Sequence, residues 1–123
     1  MSRGLGDVYK RQVPRLDLAA LGQLEFREAD PERFPALRLA RRVLDLGGLA
    51  GTVLNAAKEV ALDAFLLRAI GFLDMAVLVE HVLERLGPGA SGQGSGYDLA
   101  AVMALDAEAR RMGALWVEAY CAR

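Results

Sequence analysis

Two pairs of carboxylates stand four residues apart in the middle of the chain: Glu59 with Asp63, and Glu80 with Glu84. On a helix this spacing places both side chains of a pair on one face, where they could share a cation. Helical bundles that bind two metal ions combine such glutamates with a Glu-x-x-His motif, which this sequence lacks. We therefore predict no metal site and interpret both pairs as parts of solvent-exposed charged faces.

The single histidine and the single cysteine are the other side chains with catalytic potential. His81 stands between Glu80 and Arg85, whereas Cys121 has only Arg123 as a basic neighbour near the end of the sequence. A general base or a nucleophile needs converging partners, and neither residue has them in the sequence. We predict a histidine at the solvent edge and an unreactive cysteine, and we assign no catalytic residue.

Two glycine-rich segments invite comparison with nucleotide-binding loops. Gly4-Leu5-Gly6 has no third glycine, and the run at residues 92–96 (GQGSG) precedes a predicted helix without a strand before it. A dinucleotide fingerprint needs a strand, a glycine turn and then a helix. We therefore predict no cofactor-binding residue and interpret residues 87–96 as a flexible loop.

Composition narrows the class of protein. Apolar residues make up 54% and charged residues 25% of the 123 positions, which is typical of one soluble globular domain. A formal net charge of -1 provides no strong field for nucleic acid or an anionic membrane. Charges interrupt every apolar run before the roughly 18–20 residues that a membrane span needs. With one cysteine and no signal peptide, we expect a cytoplasmic protein without nucleic-acid or membrane partners.

Residues 1–12 (MSRGLGDVYKRQ) differ in character from the rest of the chain and show no helical or strand periodicity. The run DVYKRQ looks like the translation of a transposase end used to prepare sequencing libraries. We interpret residues 1–12 as an assembly artefact, the alternative being a natural, disordered basic tail, and exclude them from reasoning about the fold.

Residues 13–34 form the predicted lead-in, a linker that contains one short strand. Leu24 and Phe26 alternate with Glu25 and Arg27 over residues 23–28, and this period of two is typical of a strand. A single strand is not stable alone. Because no second strand follows in the sequence, its pairing partner must come from outside this chain.

Four amphipathic helices are predicted after the lead-in, at residues 35–46, 52–69, 75–86 and 96–122. Pro35 suits a first helical turn, while Gly47, Gly71 and the Gly-Pro-Gly at 87–89 end the first three helices. Ser95 and Asp98 resemble a capping box for the fourth. Short connections make successive helices antiparallel. The predicted fold class is all-α: an antiparallel four-helix bundle preceded by an extended lead-in and one short orphan strand.

Apolar residues at helical spacing predict the faces that form the core. Asn55 falls on the second stripe, where a buried amide needs a hydrogen bond from a loop or a neighbouring helix end. Asp74 is the predicted N-cap of the third helix, and Asp106 pairs with Arg110 along the fourth. The predicted inward-facing residues are Leu37, Ala40, Val43 and Leu44 on the first helix; Val53, Leu54, Ala57, Val60, Ala61, Ala64 and Phe65 on the second; Leu78, Val79, Val82, Leu83 and Leu86 on the third; and Leu99, Val102, Met103, Ala109, Met112, Trp116 and Tyr120 on the fourth.

Several motifs, in one order, resemble the C-terminal part of the 1-deoxy-D-xylulose 5-phosphate reductoisomerase family. The resemblance runs from about Pro14 to near the C-terminus. The motifs are Leu16-Asp17-Leu18, Leu21-Gly22 and Leu24-x-Phe26; Asp30-x-x-Arg33-Phe34-Pro35-Ala36-Leu37-x-Leu39-Ala40; Leu54-Asn55-Ala56-Ala57-Lys58-Glu59-Val60-Ala61; Ala64-Phe65-Leu66, Ile70-x-Phe72 and Asp74; and Asp106-Ala107-x-Ala109-Arg110.

The resemblance implies a parent enzyme of non-mevalonate isoprenoid biosynthesis. That enzyme rearranges 1-deoxy-D-xylulose 5-phosphate and reduces the product to 2-C-methyl-D-erythritol 4-phosphate, using NADPH and Mg or Mn. Its N-terminal and central domains carry the catalytic, cofactor and metal residues, and none of those motifs matches a position here. The resemblance therefore implies a structural C-terminal helical domain (residues 35–123), inactive alone, whose partners are those domains within a homodimer.

Two positions depart from the family pattern: Ala29 replaces a proline before the first helix, and Lys58 replaces the second asparagine of LNAANE. A buried lysine at position 58 would have to extend to solvent or lose its charge. The alternative to an enzyme fragment is a free-standing helical module that binds other proteins and has no enzyme activity.

Overall fold

The computed structural model describes residues 13–91 and 96–123. Within these residues the chain forms five helices: α1 (Leu18–Leu21), α2 (Pro35–Leu46), α3 (Ala50–Leu66), α4 (Asp74–Ala90) and α5 (Leu99–Cys121). The interpretation of residues 1–12, and the predictions for Ser95 and the glycine run at 92–95, lie outside the described residues.

Helices α3 and α4 form the central pair of the bundle, and α2 and α5 each pack against both of them. The Leu49 N–H before α3 donates to the Ala90 carbonyl at the end of α4 at 2.8 Å. At the opposite end of α4, the Tyr120 hydroxyl near the end of α5 donates to Asp74 at 2.8 Å. Helices α3 and α4 therefore run antiparallel, as do α4 and α5, and the predicted all-α bundle is confirmed.

The core lies along α3 and α4, and its small residues allow close packing of helices. Ala56, Ala57 and Ala61 of α3 are 0–1% exposed against α4 and α5. Leu78 and Leu83 of α4 are fully buried, and burial of such a side chain contributes roughly 1.5–3 kcal/mol. The predicted inner faces of α3 and α4 are confirmed, because every predicted residue lies in the core or packs against it. Leu54, Val60, Phe65 and Leu86 are only partly buried, and the buried set also includes Ala50, Ala56, Gly87 and Ala90.

Helix α2 has the predicted bounds, but its inner face was predicted only in part. Val43 packs against the core as predicted, whereas Leu37 and Leu44 are 49% and 81% exposed and Ala40 is exposed too. The core-facing residues of α2 are Leu39, Val43 and Leu46, at the i, i+4, i+7 spacing of one helical face. On α5, the predicted residues Ala109, Met112, Trp116 and Tyr120 lie in the core or pack against it, whereas Leu99 and Met103 are 76% and 61% exposed.

The third helix does not end at Gly87-Pro88-Gly89 as predicted, because α4 continues to Ala90. A Cβ at Gly87 would lie 3.2 Å from side-chain carbons of both Leu46 and Leu83, so this glycine permits close packing inside the helix. Pro88 lies in the last turn, where its missing N–H removes only one helical hydrogen bond. Its carbonyl accepts a hydrogen bond from the Ser91 hydroxyl at 2.6 Å.

The predicted strand at residues 23–28 is absent, and residues 22–30 are irregular. A strand exists through hydrogen bonds to a neighbour, and the described part of the chain contains no strand that could pair with it. Phe26 is 86% exposed as a result. The lead-in instead contains the unpredicted α1, which begins where the Asp17 carboxylate accepts from the N–H groups of Ala19 and Ala20.

Candidate functional site

A polar network joins α3 to α5 on the surface of the bundle. The Arg110 guanidinium donates to Asp106 Oδ2 at 2.7 Å, one turn earlier on α5, and to Glu59 Oε2 of α3 at 2.6 Å. Glu59 Oε1 also accepts from the Asn55 amide at 3.2 Å. The predicted pairing of Asp106 with Arg110 is therefore present, and it extends across the helix interface.

The charges of this network stabilise one another. Hydrogen bonding to Arg110, and then to Asn55, holds the pKa of Glu59 below its ordinary value. Hydrogen bonds to Asp106 and Glu59 raise the pKa of Arg110. A carboxylate held by a guanidinium is a poor cation ligand, because the guanidinium already supplies the opposing charge. The network therefore acts as a clasp between α3 and α5.

Asn55 is exposed on α3, which corrects the prediction that its amide is buried. Its partner is Glu59 on the next turn of the same helix, not a loop or a neighbouring helix end. The adjacent Lys58 is also exposed. The lysine at this departure from the family pattern thus lies in solvent, outside the core.

The carboxylate pairs predicted from spacing do not converge on a common point. Glu59 binds Arg110, while Glu80 of α4 accepts from Arg38 of α2 at 2.7 Å. The bond from Arg38 lowers the pKa of Glu80. No group of three or more His, Cys, Asp or Glu side chains within residues 13–91 and 96–123 could hold a metal ion.

His81 lies half-buried on α4 beside Arg85 of the next turn. An Arg85 guanidinium nitrogen is 2.9 Å from His81 Nδ1. Burial lowers the pKa of His81, with a smaller contribution from the Arg85 charge. Because an arginine N–H can only donate, Nδ1 must accept, and the neutral ring then carries its proton on Nε2.

The end of α5 packs on the start of α4 through an aromatic pair. Trp116 and Tyr120 stack with their ring centroids 5.2 Å apart. The Tyr120 hydroxyl donates to Asp74 Oδ2, which also accepts from the Gly71 N–H at 2.8 Å. Asp74 is thus the first residue of α4, not its predicted N-cap, and its carboxylate links the loop before α4 to α5. Cys121 is exposed, with its Sγ 3.6 Å from the Ala69 carbonyl.

Hydrogen bonds to the Asp30 side chain form the turn before α2, next to Ala29. The Asp30 carboxylate accepts from the N–H groups of Glu32 at 2.9 Å and Arg33 at 3.2 Å. These local bonds form a turn that leads into Pro35 at the start of α2. The turn therefore forms in this chain with alanine at position 29.

A series of exposed apolar side chains runs along the lead-in and the start of α2. Phe26, Leu16 and Val13 are 86%, 73% and 63% exposed. Monomeric soluble proteins rarely expose such continuous apolar segments, which usually mark contacts with other protein parts. The exposed members are Val13, Leu16, Leu18, Leu21, Leu24, Phe26, Phe34 and Leu37. We refer to them as the lead-in surface.

Comparison with known protein families gives one match that covers most of the chain. Residues 5–112 match the family described as the DXP reductoisomerase C-terminal domain. Among curated relatives, the 1-deoxy-D-xylulose 5-phosphate reductoisomerase of Paracoccus denitrificans is 53% identical over 104 residues, which are 85% of this chain and 27% of the relative. The Ruegeria pomeroyi enzyme of the same name is 68% identical over 73 residues, which are 59% of this chain and 18% of the relative.

Solved structures of the same enzyme contain the same fold. The Zymomonas mobilis reductoisomerase in complex with NADPH superposes with a TM-score of 0.72 at 40% identity, covering 87% of this chain and 27% of that one. A reductoisomerase in complex with magnesium gives a TM-score of 0.75 at 32% identity, covering 89% of this chain and 28% of the other. The chain thus spans about a quarter of the length of these two structures.

Proposed function

Because this chain belongs to the DXP reductoisomerase C-terminal domain family, we propose that it is the helical domain of a reductoisomerase that converts 1-deoxy-D-xylulose 5-phosphate to 2-C-methyl-D-erythritol 4-phosphate. The observation that carries this proposal is the match over residues 5–112, together with the shared fold. In the parent enzyme, NADPH supplies the reducing hydride and Mg or Mn assists the rearrangement. The enzyme acts in isoprenoid biosynthesis, in the cytoplasm, as a homodimer.

The role proposed for this domain is structural. The described residues offer no cluster of metal-binding side chains, and the polar groups with perturbed pKa values serve contacts between or along helices. No step of the chemistry is therefore assigned to this chain, which alone should be inactive. In the parent enzyme the domain packs against the N-terminal and central domains and helps to wall the active-site cleft.

The lead-in surface supports this role, because its apolar side chains have no cover within the described residues. Leu24 and Phe26 alternate with Glu25 and Arg27 in an extended segment, which suits addition to the edge of a sheet. We propose that residues 23–28 form a strand when a sheet of the parent enzyme pairs with them. The irregular conformation seen here is the unpaired form of that segment.

Complementation tests this proposal directly. The Paracoccus denitrificans reductoisomerase, shortened by the part that matches this chain, would be mixed with this chain and supplied with 1-deoxy-D-xylulose 5-phosphate, Mg and NADPH. We expect NADPH oxidation from the mixture and none from either piece alone. Turnover by this chain alone would contradict the structural role. Correctly folded pieces that bind each other without restoring activity would argue for the alternative, a free-standing interaction module.

Two variants sharpen the complementation experiment. Phe26→Ser should abolish recovery, because it removes the largest exposed side chain of the lead-in surface. Leu99→Ser is the matched control, since Leu99 is similarly exposed at 76% but lies at the start of α5, outside that surface. Hydrogen exchange adds an independent readout: residues 23–28 should exchange freely in this chain alone and become protected in the mixture.

A further inference from the structure

A groove between α4 and α5 is separate from both the clasp at Arg110 and the lead-in surface. It has a volume of about 400 Å³, which lies within the ~300–1,000 Å³ range of small-molecule sites. Its lining combines a flat aromatic wall with basic side chains and contains no acidic residue. The lining residues are His81, Arg85, Arg111, Met112, Leu115, Trp116, Ala119, Tyr120 and Arg123.

The wall of the groove is the stacked pair of Trp116 and Tyr120, whose planes are inclined by 19°. Both side chains are half-buried, so one part of each ring supports the core and another faces the groove. Within residues 13–91 and 96–123, the Trp116 indole N–H makes no hydrogen bond to protein. The groove therefore offers the exposed parts of two aromatic rings beside an available N–H donor, a combination suited to an aromatic ligand.

The basic side chains are not neutralised to the same extent. Glu108 holds Arg111 with bonds of 2.6 and 2.9 Å, so this guanidinium is already paired. Arg85 instead donates to two uncharged acceptors on His81, the Nδ1 atom and the carbonyl. No carboxylate among the described residues forms an ion pair with Arg85. Its positive charge, and the His81 Nε2–H, remain available at one side of the groove.

We propose that this groove binds a planar organic anion, such as an aromatic carboxylate or an aryl phosphate. The ring of the ligand packs against the exposed parts of Trp116 and Tyr120. Its anionic group accepts hydrogen bonds from Arg85. Arg111 can donate a further hydrogen bond to the ligand when its own bonds to Glu108 are broken. The proposal does not depend on the reductoisomerase function, because neither the lead-in surface nor the complementation experiment involves these residues.

The single tryptophan of the chain provides the measurement, because Trp116 is its only strong fluorophore. Phenyl phosphate would be titrated into this chain at constant ionic strength, with excitation at a wavelength that selects tryptophan. We expect a saturable change in emission. Phenol, which has the ring without the charge, and inorganic phosphate, which has the charge without a ring, should each bind at least tenfold more weakly.

Two substitutions on either side of the groove should change affinity in opposite directions. Arg85→Gln should weaken phenyl phosphate binding about tenfold, the loss expected when one charged hydrogen bond is removed. Glu108→Gln should strengthen binding several-fold, because it frees the Arg111 guanidinium for the ligand. Arg41→Gln is the matched control, since Arg41 is an exposed arginine of α2, which makes no contact with α5 among the described residues.

Three results would overturn the proposal. The first is an emission change that never saturates, or that Arg41→Gln reduces as much as Arg85→Gln. The second is weaker phenyl phosphate binding by Glu108→Gln. If Glu108 holds Arg111 away from the ligand, removing its charge should strengthen binding. The third is saturable binding of an acidic peptide that Arg85→Gln weakens, with no saturable binding of phenyl phosphate, which would make the groove a protein-docking surface. Circular dichroism of each variant checks that the helices are intact.

Discussion

Two glycines inside helices of this bundle differ in how much space surrounds them. A Cβ at Gly113 of α5 would lie 3.1 Å from Val60 Cγ1 and 3.5 Å from Leu78 Cδ2, whereas a Cβ at Gly51 of α3 would contact nothing within 4 Å. Gly113 therefore lies where α5 closely approaches both helices of the central pair. Packing therefore requires a residue without a side chain at position 113. It makes no such requirement at position 51.

These environments predict opposite effects of the same substitution. Gly113→Ala should lower the free energy of unfolding by about 1 kcal/mol, because overpacking costs roughly 1–3 kcal/mol and better helix propensity returns up to ~1 kcal/mol. The β-branched Val60 is stiff and cannot turn away easily. Gly51→Ala should leave stability unchanged or raise it by up to ~1 kcal/mol. Urea denaturation of the two variants checks this, and a more stable Gly113→Ala would contradict the packing argument.

Two helix N-caps should contribute differently to stability, because only one of the capped helices packs against the core. Asp98 caps α5 by accepting from the Ala101 N–H at 2.7 Å, and Asp17 caps α1 in the same manner. Helix α5 packs on the central pair, whereas α1 has no buried residue. Equal local chemistry therefore predicts unequal effects on global stability.

Replacing each cap by alanine separates the two cases. Asp98→Ala should reduce the free energy of unfolding by roughly 0.5–2 kcal/mol, the usual cost of a lost N-cap. Asp17→Ala should leave the global transition in place and only speed hydrogen exchange within residues 18–21. Thermal unfolding followed by circular dichroism distinguishes them. Equal losses in both variants would mean that the lead-in is coupled to the bundle.

The sequence predicts an element well where its start and stop residues and its apolar pattern agree with the tertiary packing. Helix α2 begins at Pro35 and ends before Gly47, whose φ of 64° suits glycine, and the alanine-rich stripe of α3 faces the core. The faces of α2 and α5 were predicted less well, because each helix has more apolar residues than can face the core, and only the tertiary contacts choose among them. Leu44 and Met103 show this, since each has apolar neighbours at helical spacing yet faces solvent.

In the candidate sites too, local contacts could be predicted from the sequence and contacts between distant residues could not. The bond between Asp106 and Arg110 is local and was predictable from a spacing of four residues. The partners Glu59 with Arg110 and Glu80 with Arg38 are 51 and 42 residues apart, so no spacing rule indicates them. The groove between α4 and α5 was not predicted either, although the Met112, Trp116 and Tyr120 stripe was recognised. A stripe indicates a face, but only the bundle shows which edge of that face stays open.

At the scale of the whole molecule, ion pairs between helices make stability depend on pH. The pKa values of Glu59 and Glu80 lie below the ordinary value of 4.5 in the folded chain. A carboxylate with a depressed folded pKa stabilises the fold above its unfolded pKa, and this contribution is lost as pH falls through the folded pKa. Acidification below about pH 4.5 should therefore weaken the bundle, with little change between pH 6 and 8 from these groups.

The Arg110→Gln variant tests the source of this acid sensitivity. Without the guanidinium, the pKa of Glu59 should return toward its ordinary value, and the decrease of stability between about pH 5 and 3 should become shallower than in the parent chain. Lys58→Gln is the control, because Lys58 is exposed and forms no ion pair among the described residues. Denaturant titrations at a series of pH values provide the measurement, and parallel acid profiles for all three chains would contradict the assignment.

The arrangement of α2 and α5 on separate parts of the central pair has a consequence for how such a sequence can vary. No contact joins the two flanking helices within the described residues, so a change of side-chain volume on one imposes no direct steric demand on the other. Compensating changes would instead be required between α3 and α4, which contact each other and both flanks. The sequences of α2 and α5 can therefore change independently of each other. The sequences of α3 and α4 must stay compatible with both.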